Sequence, residues 1–415
     1  MPDRKRKKPL VPKLRFPEFR DAVEWEVKRL GKIGPVSMCK RVLKKQTSET
    51  GDIPFYKIGT FGKKPDAYIS MELYEKYKKT YPFPNRGDIL ISASGTIGRT
   101  VVYDGKPAYF QDSNMVWIAN DENIVLNVFL NYCYKRIRWQ TDDNTIARLY
   151  NDNLRRMKVV VPSIPEQQKI ADRLSSLDEL IELEAKKCEA LKAHKKGLMQ
   201  QLFPREGETK PRLRFPGFRN AGPWEVKRLG EICTFLKGKG LPKAAITPAG
   251  SVPCVHYGEL FTDYGEVIRN VKCFTNSSNS YVLSEEDDVL MPTSDVTPNG
   301  LAKASCLKHS NVVLGGDILV IRLNKDLVFG EYLSRLIRFR EQEVLRFVSG
   351  TTVFHLYPNS ISKLIVSFPS LAEQQKIADC LSSLDKLIEL KAQKVEALKQ
   401  HKKGLMQQLF PQEVI

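Results

Sequence analysis

Two stretches of the chain keep a helical rhythm. Ile170, Leu174, Leu177, Ile181, Cys188, Leu191, Leu198 and Leu202 fall on steps built from four and three. Ile377, Leu381, Leu384, Ile388, Val395, Leu398, Leu405 and Leu409 repeat the pattern. Apolar positions at this spacing form the seam of paired helices. No Gly or Pro interrupts Glu166–Lys196, and strong helix formers fill it, so each stretch predicts a helix of about 35 residues, roughly 50 Å long. Glu184 and Lys391 take equivalent places near the two midpoints. If the helices pack antiparallel about a pseudo-twofold, these opposite charges face each other. Leu180, Leu183, Leu387 and Leu390 lie off the seam and widen the apolar stripe, to be covered either by another protein or by the chain's own domains.

Elsewhere the pattern shortens to strand-length apolar runs. Asp52–Ile58, Asp88–Ser92 and Met157–Val161 read as strands, and Ser251–Tyr257, Asp288–Met291, Asp317–Ile321 and Leu364–Phe368 match them further along. Leu126–Trp139 and Phe329–Val348 read as helices. This predicts a compact α+β unit twice over.

The chain repeats itself, which decides the architecture. Pro12–Ile33 (PKLRFPEFRDAVEWEVKRLGKI) returns as Pro211–Ile232 (PRLRFPGFRNAGPWEVKRLGEI), and Pro165–Pro204 returns as Ala372–Pro411 with 33 of 40 positions identical. The segments between, 34–161 and 233–368, share only fragments. The expected organisation is therefore a pseudo-twofold tandem repeat. A disordered basic tail (1–11) precedes a mixed α/β domain (12–162) and a spacer helix (163–204). A second mixed domain (205–369), a second spacer helix (370–411) and a short tail (412–415) follow. Two unlike surfaces on a duplicated frame suggest one assembly that presents two different recognition faces.

The chain has 415 residues and a net charge of +18. The tail run Arg4–Lys8 supplies only part of this excess, so the folded parts are basic too, which points to a polyanionic partner and above all nucleic acid. No apolar run approaches the roughly 20 residues of a membrane helix, and no signal peptide is legible. The eight cysteines form no Cys-x-x-Cys pair and no Cys/His cluster suits zinc, so they read as buried or inert thiols of a cytoplasmic protein. No dinucleotide fingerprint, P-loop, His-Glu-x-x-His or Asn-Pro-Pro-Tyr-type loop occurs. Glu26-Val-Lys28 and Glu225-Val-Lys227 resemble a nuclease Glu-x-Lys but recur inside the repeated frame without a well-placed upstream acid. No catalytic or metal site is expected.

Candidate DNA contacts gather in four places. Lys57-Ile-Gly-Thr-Phe-Gly-Lys-Lys64 offers Lys57, Thr60, Lys63 and Lys64, and Ser92-Ala-Ser-Gly-Thr-Ile-Gly-Arg99 offers Ser92, Ser94, Thr96 and Arg99. Glycines let backbone approach a phosphate, hydroxyls can bond it, and cations add salt-dependent affinity. A plain glycine turn between strands reads the same way. In the second domain Tyr257, Thr293, Ser294 and Lys303 occupy the corresponding segments, where PTSDVTPNGLAK replaces SASGTIGR. Finally, Thr145-Ile-Ala-Arg-Leu-Tyr150 precedes its helix by the same distance as Thr352-Val-Phe-His-Leu-Tyr357 precedes the second. Thr, Leu and Tyr match while the rest differ, as base-reading positions on a fixed frame would. Arg148 and His355 are the candidate readers, with Tyr150, Thr351, Thr352 and Tyr357 beside them. A local acid for Arg148 and a surface role for His355 are the alternatives.

The whole pattern resembles the specificity subunit of type I restriction–modification systems. Pro162–Asp178 and Pro369–Asp385 carry the P-x-x-x-x-E-Q-Q-K-I-A-D…L-S-S-L-D stretch. The LRFP…W-E-V-K-R-L-G blocks at 14–31 and 213–230 and the segment Gly87–Gly98 support it. The resemblance implies two target-recognition domains, each reading half of a bipartite site on double-stranded DNA. It implies antiparallel coiled-coil helices that set the gap and dock two methyltransferase subunits, and restriction subunits that complete an ATP-dependent nuclease. S-adenosylmethionine, ATP and magnesium would belong to those partners. At Pro292–Lys303 the second domain departs from the family pattern, and the resemblance does not carry the loop contacts there. An orphan subunit serving modification only, or a coiled-coil scaffold that binds no DNA, remain as other readings.

Overall fold

The computed structural model describes residues 10–139, 148–276 and 281–411. The basic run Arg4–Lys8, residues 145–147 of the matched motif and the tail 412–415 lie outside the described residues. The chain divides into two compact units, one of Met1–Glu184 with Lys394–Ile415 and one of Ala185–Gln393. The seam prediction holds in length and place: continuous helices run over Ile164–Leu202 and Leu371–Leu409. Each contributes a part to both units.

In the first unit the opening block becomes strand Glu26–Arg29, paired antiparallel with Lys158–Val161 just before the first long helix. The block thus closes the domain on itself. Four antiparallel strands follow the order Val36–Ser37, Met115–Ile118, Ile89–Ser92 and Thr100–Val102, and a three-stranded sheet has Ile53–Tyr56 at its centre. Strand Ile89–Ser92 is buried on both faces, as a continuous apolar run predicts. Ile89 and Ile91 join a core that includes Ile170, Leu174 and Leu409 of the long helices and Phe410 just beyond the second. Leu90, between them, joins a second core around Phe55, Tyr109 and Trp117. Phe410 stacks on Phe129 with ring centres 5.3 Å apart, and Leu14 N–H donates to the carbonyl of Gln408. The C-terminal helix therefore completes the domain that the N-terminus begins.

In the second unit the same parts recur. Strand Glu225–Arg228 pairs with Ile365–Phe368, Leu213 N–H donates to Gln201, and Leu202 and Phe203 enter a core with Trp224, Tyr332, Ile377 and Leu381. A five-stranded sheet runs in the order Cys233–Lys237, Ile318–Leu323, Val289–Pro292, Ser305–Leu307 and Val267–Ile268, beside a four-stranded sheet around Val252–Val255. The helix expected over Phe329–Val348 breaks. It runs Gly330–Phe339, turns at Arg340, resumes over Glu341–Leu345 and gives way to strand Val348–Gly350. The Arg340 guanidinium holds the turn by donating to the Ile365 carbonyl and the Ser367 hydroxyl.

The repeated Glu-Gln-Gln acts as a fastener. Arg15 clamps Glu166 at 2.8 and 2.7 Å, and Arg214 clamps Glu373 at 2.8 and 2.5 Å. Gln167 Nε2 donates to the carbonyls of Ile124 and Pro162 while Oε1 accepts from Leu126 N–H. Gln374 makes the same three bonds to Leu327, Pro369 and Phe329. These bonds fix the start of each long helix to its own domain.

Candidate nucleic-acid interface

The two domains present equivalent backbone with different side chains at one place. In the first unit Leu149 N–H donates to Ala93, and Ser94 forms a β-bridge with Arg148. In the second, Leu356 N–H donates to Thr293, and Ser294 pairs with His355. The matched motifs thus return to the strand–turn segments of their own domains, a juxtaposition that the sequence did not show. Tyr150 and Tyr357 stand one residue before equivalent short helices and are exposed to 51% and 53%.

Around Arg148 an open cleft of about 800 Å³ brings in Arg41, Lys44, Lys57, Gln111, Ser113 and Asn114. Arg148 donates to the Ser113 hydroxyl at 2.8 Å, Ser94 donates to Asn114 at 2.9 Å, and Arg41 sits 3.4 Å from Asp112. The sequence reading missed Arg41, Lys44, Gln111 and Asn114. The polar run Gln111-Asp-Ser-Asn114 was a usable signal, whereas Arg41 and Lys44 sit in a segment without glycine punctuation.

The other candidates in the first unit divide. Lys63, Lys64 and Thr96 are exposed, and the two lysines make no ion pair among the described residues. Lys57 pairs with Asp66 at 2.9 Å, and the Thr60 hydroxyl closes back on the Lys57 backbone. Ser92 is corrected: its side chain is fully buried, donating to the Thr96 carbonyl and accepting from Arg99 N–H, so it shapes the turn. Arg99 is also spent internally, donating to the Phe61 carbonyl at 2.9 Å. It ties the two glycine loops together rather than facing outward. Gly98 has a positive φ of 79°, and a Cβ there would strike the Trp139 ring, so glycine is required by that close approach as well as by the turn.

In the second unit Thr293 is buried against Asp317 and Lys303 donates to the Phe261 carbonyl at 2.9 Å. Burial takes Thr293 out of reach of a ligand, which corrects the expectation for it, while Lys303 stays half-exposed. Tyr257 is half-buried, edge-on to Phe261. Ser294, Thr351, Thr352, His355 and Tyr357 gather on or beside a three-stranded sheet of Ser294–Asp295, Phe354–Leu356 and Val348–Gly350.

Along the long helices the seam ends are buried in the domain cores: Ile170, Leu174 and Leu177 in the first unit, Ile377 and Leu381 in the second. Ile181, Leu191, Leu198, Leu384, Ile388, Leu398 and Leu405 are half-buried. In the first unit Lys394 reaches buried Glu184 at 3.1 Å and Lys402 pairs with Asp178. In the second, Cys188 contacts the Ile388 carbonyl and Lys195 bonds Asp385 at 2.5 Å. Rising numbers on one helix meet falling numbers on the other, so the helices run antiparallel within each unit. Lys394, one turn beyond Lys391, is one cation that Glu184 meets in the first unit. Lys195 also bonds Glu266 at 2.6 Å. Burial alone would raise the Glu266 carboxyl, but the charges of Lys195, Arg338 and Arg335 outweigh it and hold the group down at about 2. Leu183, Leu387 and Leu390 remain about half exposed on this chain.

Glu26 and Lys28 pair with each other on their strand, as do Glu225 and Lys227. Burial pushes the Cys39 and Cys233 thiols up to about 12, far from a reactive thiolate. Among the described residues no three His, Cys, Asp or Glu side chains gather as metal ligands, and no helix is long and apolar enough to cross a membrane.

The model of the type I restriction modification DNA specificity domain matches residues 22–193 and again 222–400. The chain belongs to that family. A putative type I restriction enzyme specificity subunit of Haemophilus influenzae is 59% identical over 156 residues, 37% of this chain and 40% of that protein. The putative MjaX specificity subunit of Methanocaldococcus jannaschii is 24% identical over 93% of both chains. The crystal structure of a type I S subunit from M. genitalium superposes with a TM-score of 0.64 at 16% identity, covering 98% of this chain and 100% of that one. A chain from a structural study of type I complex assembly and conformational transition gives 0.53 at 15% identity, over 94% and 98%. At these identities the structural likeness is one of fold. The two matched specificity domains coincide with the two repeats, and the Glu-Gln-Gln fastener lies inside both.

Proposed function

We propose that this chain is the sequence-reading subunit of a type I restriction–modification complex, each domain reading one half of a bipartite DNA site. The observation that carries this reading is the matched pair of bridges, Ser94 with Arg148 and Ser294 with His355. An equivalent backbone pairing offers a guanidinium in one domain and an imidazole in the other. Arg can bond guanine bidentately and His can bond base edges, so equivalent positions would select different bases. The basic balance supplies the nonspecific affinity on which such selection builds.

The remaining chemistry would come from other subunits. The leucines 183, 387 and 390, exposed on the two charged helices, suit docking of two methyltransferase subunits, because exposed apolar side chains favour cover by a partner. Those subunits would bind S-adenosylmethionine, and restriction subunits would bring ATP and magnesium for cleavage in the cytoplasm. The chain itself would read and position without catalysing.

The test is to assemble the full chain with its methyltransferase subunits and titrate duplex DNA at several salt concentrations, then map the methylated positions. Salt-dependent binding and a two-part methylated motif are expected. A complex that binds no DNA, or methylates without sequence preference, overturns the proposal.

A further inference from the structure

The three-stranded sheet of the second unit has two unlike faces. Directly opposite residues on antiparallel strands share a face, and Ser294, His355 and Ser349 lie opposite one another. The alternate residues Val348, Phe354 and Leu356 pack against the core. The backing is therefore fixed, and the hairpin Val348–Leu356 supplies two of the three strands, with Ser294–Asp295 on the other side of Phe354–Leu356. Its turn requires Gly350, which has a φ of 129° and would place a Cβ 2.1 Å from the Val353 carbonyl oxygen.

Two valines interrupt the polar outer surface. Val296 is 72% exposed and Val353 44%. They flank the same end of one cross-strand pair, because Val296 follows Asp295, Val353 precedes Phe354, and Asp295 lies opposite Phe354. Thr351 and Thr352 precede Val353 in the chain, and Ser294 and His355 form the adjoining pair of the ladder. A lone exposed valine calls for no explanation, but two just past the same end of the Asp295–Phe354 pair present a small apolar patch among hydroxyls and an imidazole.

Resting on the function proposed above, we infer that Val296 and Val353 read the C5-methyl group of thymine in the major groove. That groove admits a two-stranded β-ribbon, and the thymine methyl is the apolar group that base pairs display there. Phosphates offer the valines only charged neighbours. Ser294 and His355, level with each other beside the valines, would bond polar base edges next to that methyl. The first unit has Gly95 and Thr96 after Ser94 in place of Asp295 and Val296, so the apolar reader belongs to the second domain.

The test uses the full chain assembled with its methyltransferase subunits and duplexes carrying the mapped site. Each thymine of both half-sites is replaced in turn by uracil, which removes the methyl and leaves base pairing intact. The wild-type complex should lose about fourfold in affinity at one or two positions of one half-site, the worth of one buried methyl group. The V296S/V353S chain should bind the thymine and uracil duplexes equally at those positions and keep every other preference. Both residues are exposed, so folding is expected to survive, and an unchanged Tm verifies it. If no thymine-to-uracil effect is erased by V296S/V353S, or that half-site contains no A·T pair, the inference is overturned. A wild-type complex without any sequence preference fails differently, removing the function proposed above and the inference with it.

Discussion

Replacing Gln374 by Leu tests the claim that the Glu-Gln-Gln motif is a mechanical fastener. The side chain is fully buried and makes three bonds of 2.8 Å, to the carbonyls of Leu327 and Pro369 and from the N–H of Phe329. Leucine is close in size but leaves three backbone groups without partners. Each buried group that loses its bond costs about 1–3 kcal/mol, so a total of roughly 3–6 kcal/mol is expected once some relaxation is allowed. The neighbouring Gln375 is exposed and bonds only Asp379 one turn along, so Gln375→Leu should cost under about 0.5 kcal/mol. Urea unfolding of the full chain, followed by tryptophan fluorescence, gives both values on one scale. Trp224 lies in the core that this helix joins. Should the two variants unfold at the same urea concentration, the buried glutamine does not hold the helix to the domain.

Three further outcomes follow from the same structure. Glu266 has its carboxyl held at about 2 against an ordinary 4.5, so its contribution is complete above pH 4.5 and is lost as pH falls towards 2. Replacing it by Gln should remove on the order of 3 kcal/mol of acid-sensitive stability, measurable as a flatter dependence of unfolding free energy on pH over that window. Lys63→Ala with Lys64→Ala should weaken DNA binding for all sequences alike and reduce the slope of log affinity against log salt by about two; a sequence-selective loss would assign these lysines a different role. Four residues inserted after Lys187, matched by four after Lys394 to preserve the antiparallel partner, add about 6 Å of helix and should lengthen the unread gap by one or two base pairs at 3.4 Å each. An unchanged gap would remove the helices as the ruler.

The legible parts of the fold were those with a local period. The long helices announced themselves through Ile170, Leu174 and Leu177 and their repeats, because a heptad needs only neighbours three and four residues away. The break at Arg340 was not legible, since the carbonyl and hydroxyl that stabilise the turn belong to Ile365 and Ser367, more than twenty residues on. Arg99 and Lys303 looked like phosphate ligands because a cation beside glycine suits a phosphate and a backbone carbonyl equally, and folding presents the carbonyl first. Ser92 misled because hydroxyls occur in loops and at strand ends alike; the strand it ends is buried on both faces. The equivalence of Arg148 and His355, by contrast, was readable from spacing alone, because the repeated helices fix the count of residues back to each bridge.

Methylation mapping of DNA from cells that express the chain with its methyltransferase subunits, for the wild type and for His355→Ala, tests the central claim most directly. The account predicts two short sequence blocks separated by a gap of fixed length, with the substitution relaxing one block and leaving the other intact. A single contiguous motif, or both blocks changing together, would contradict it.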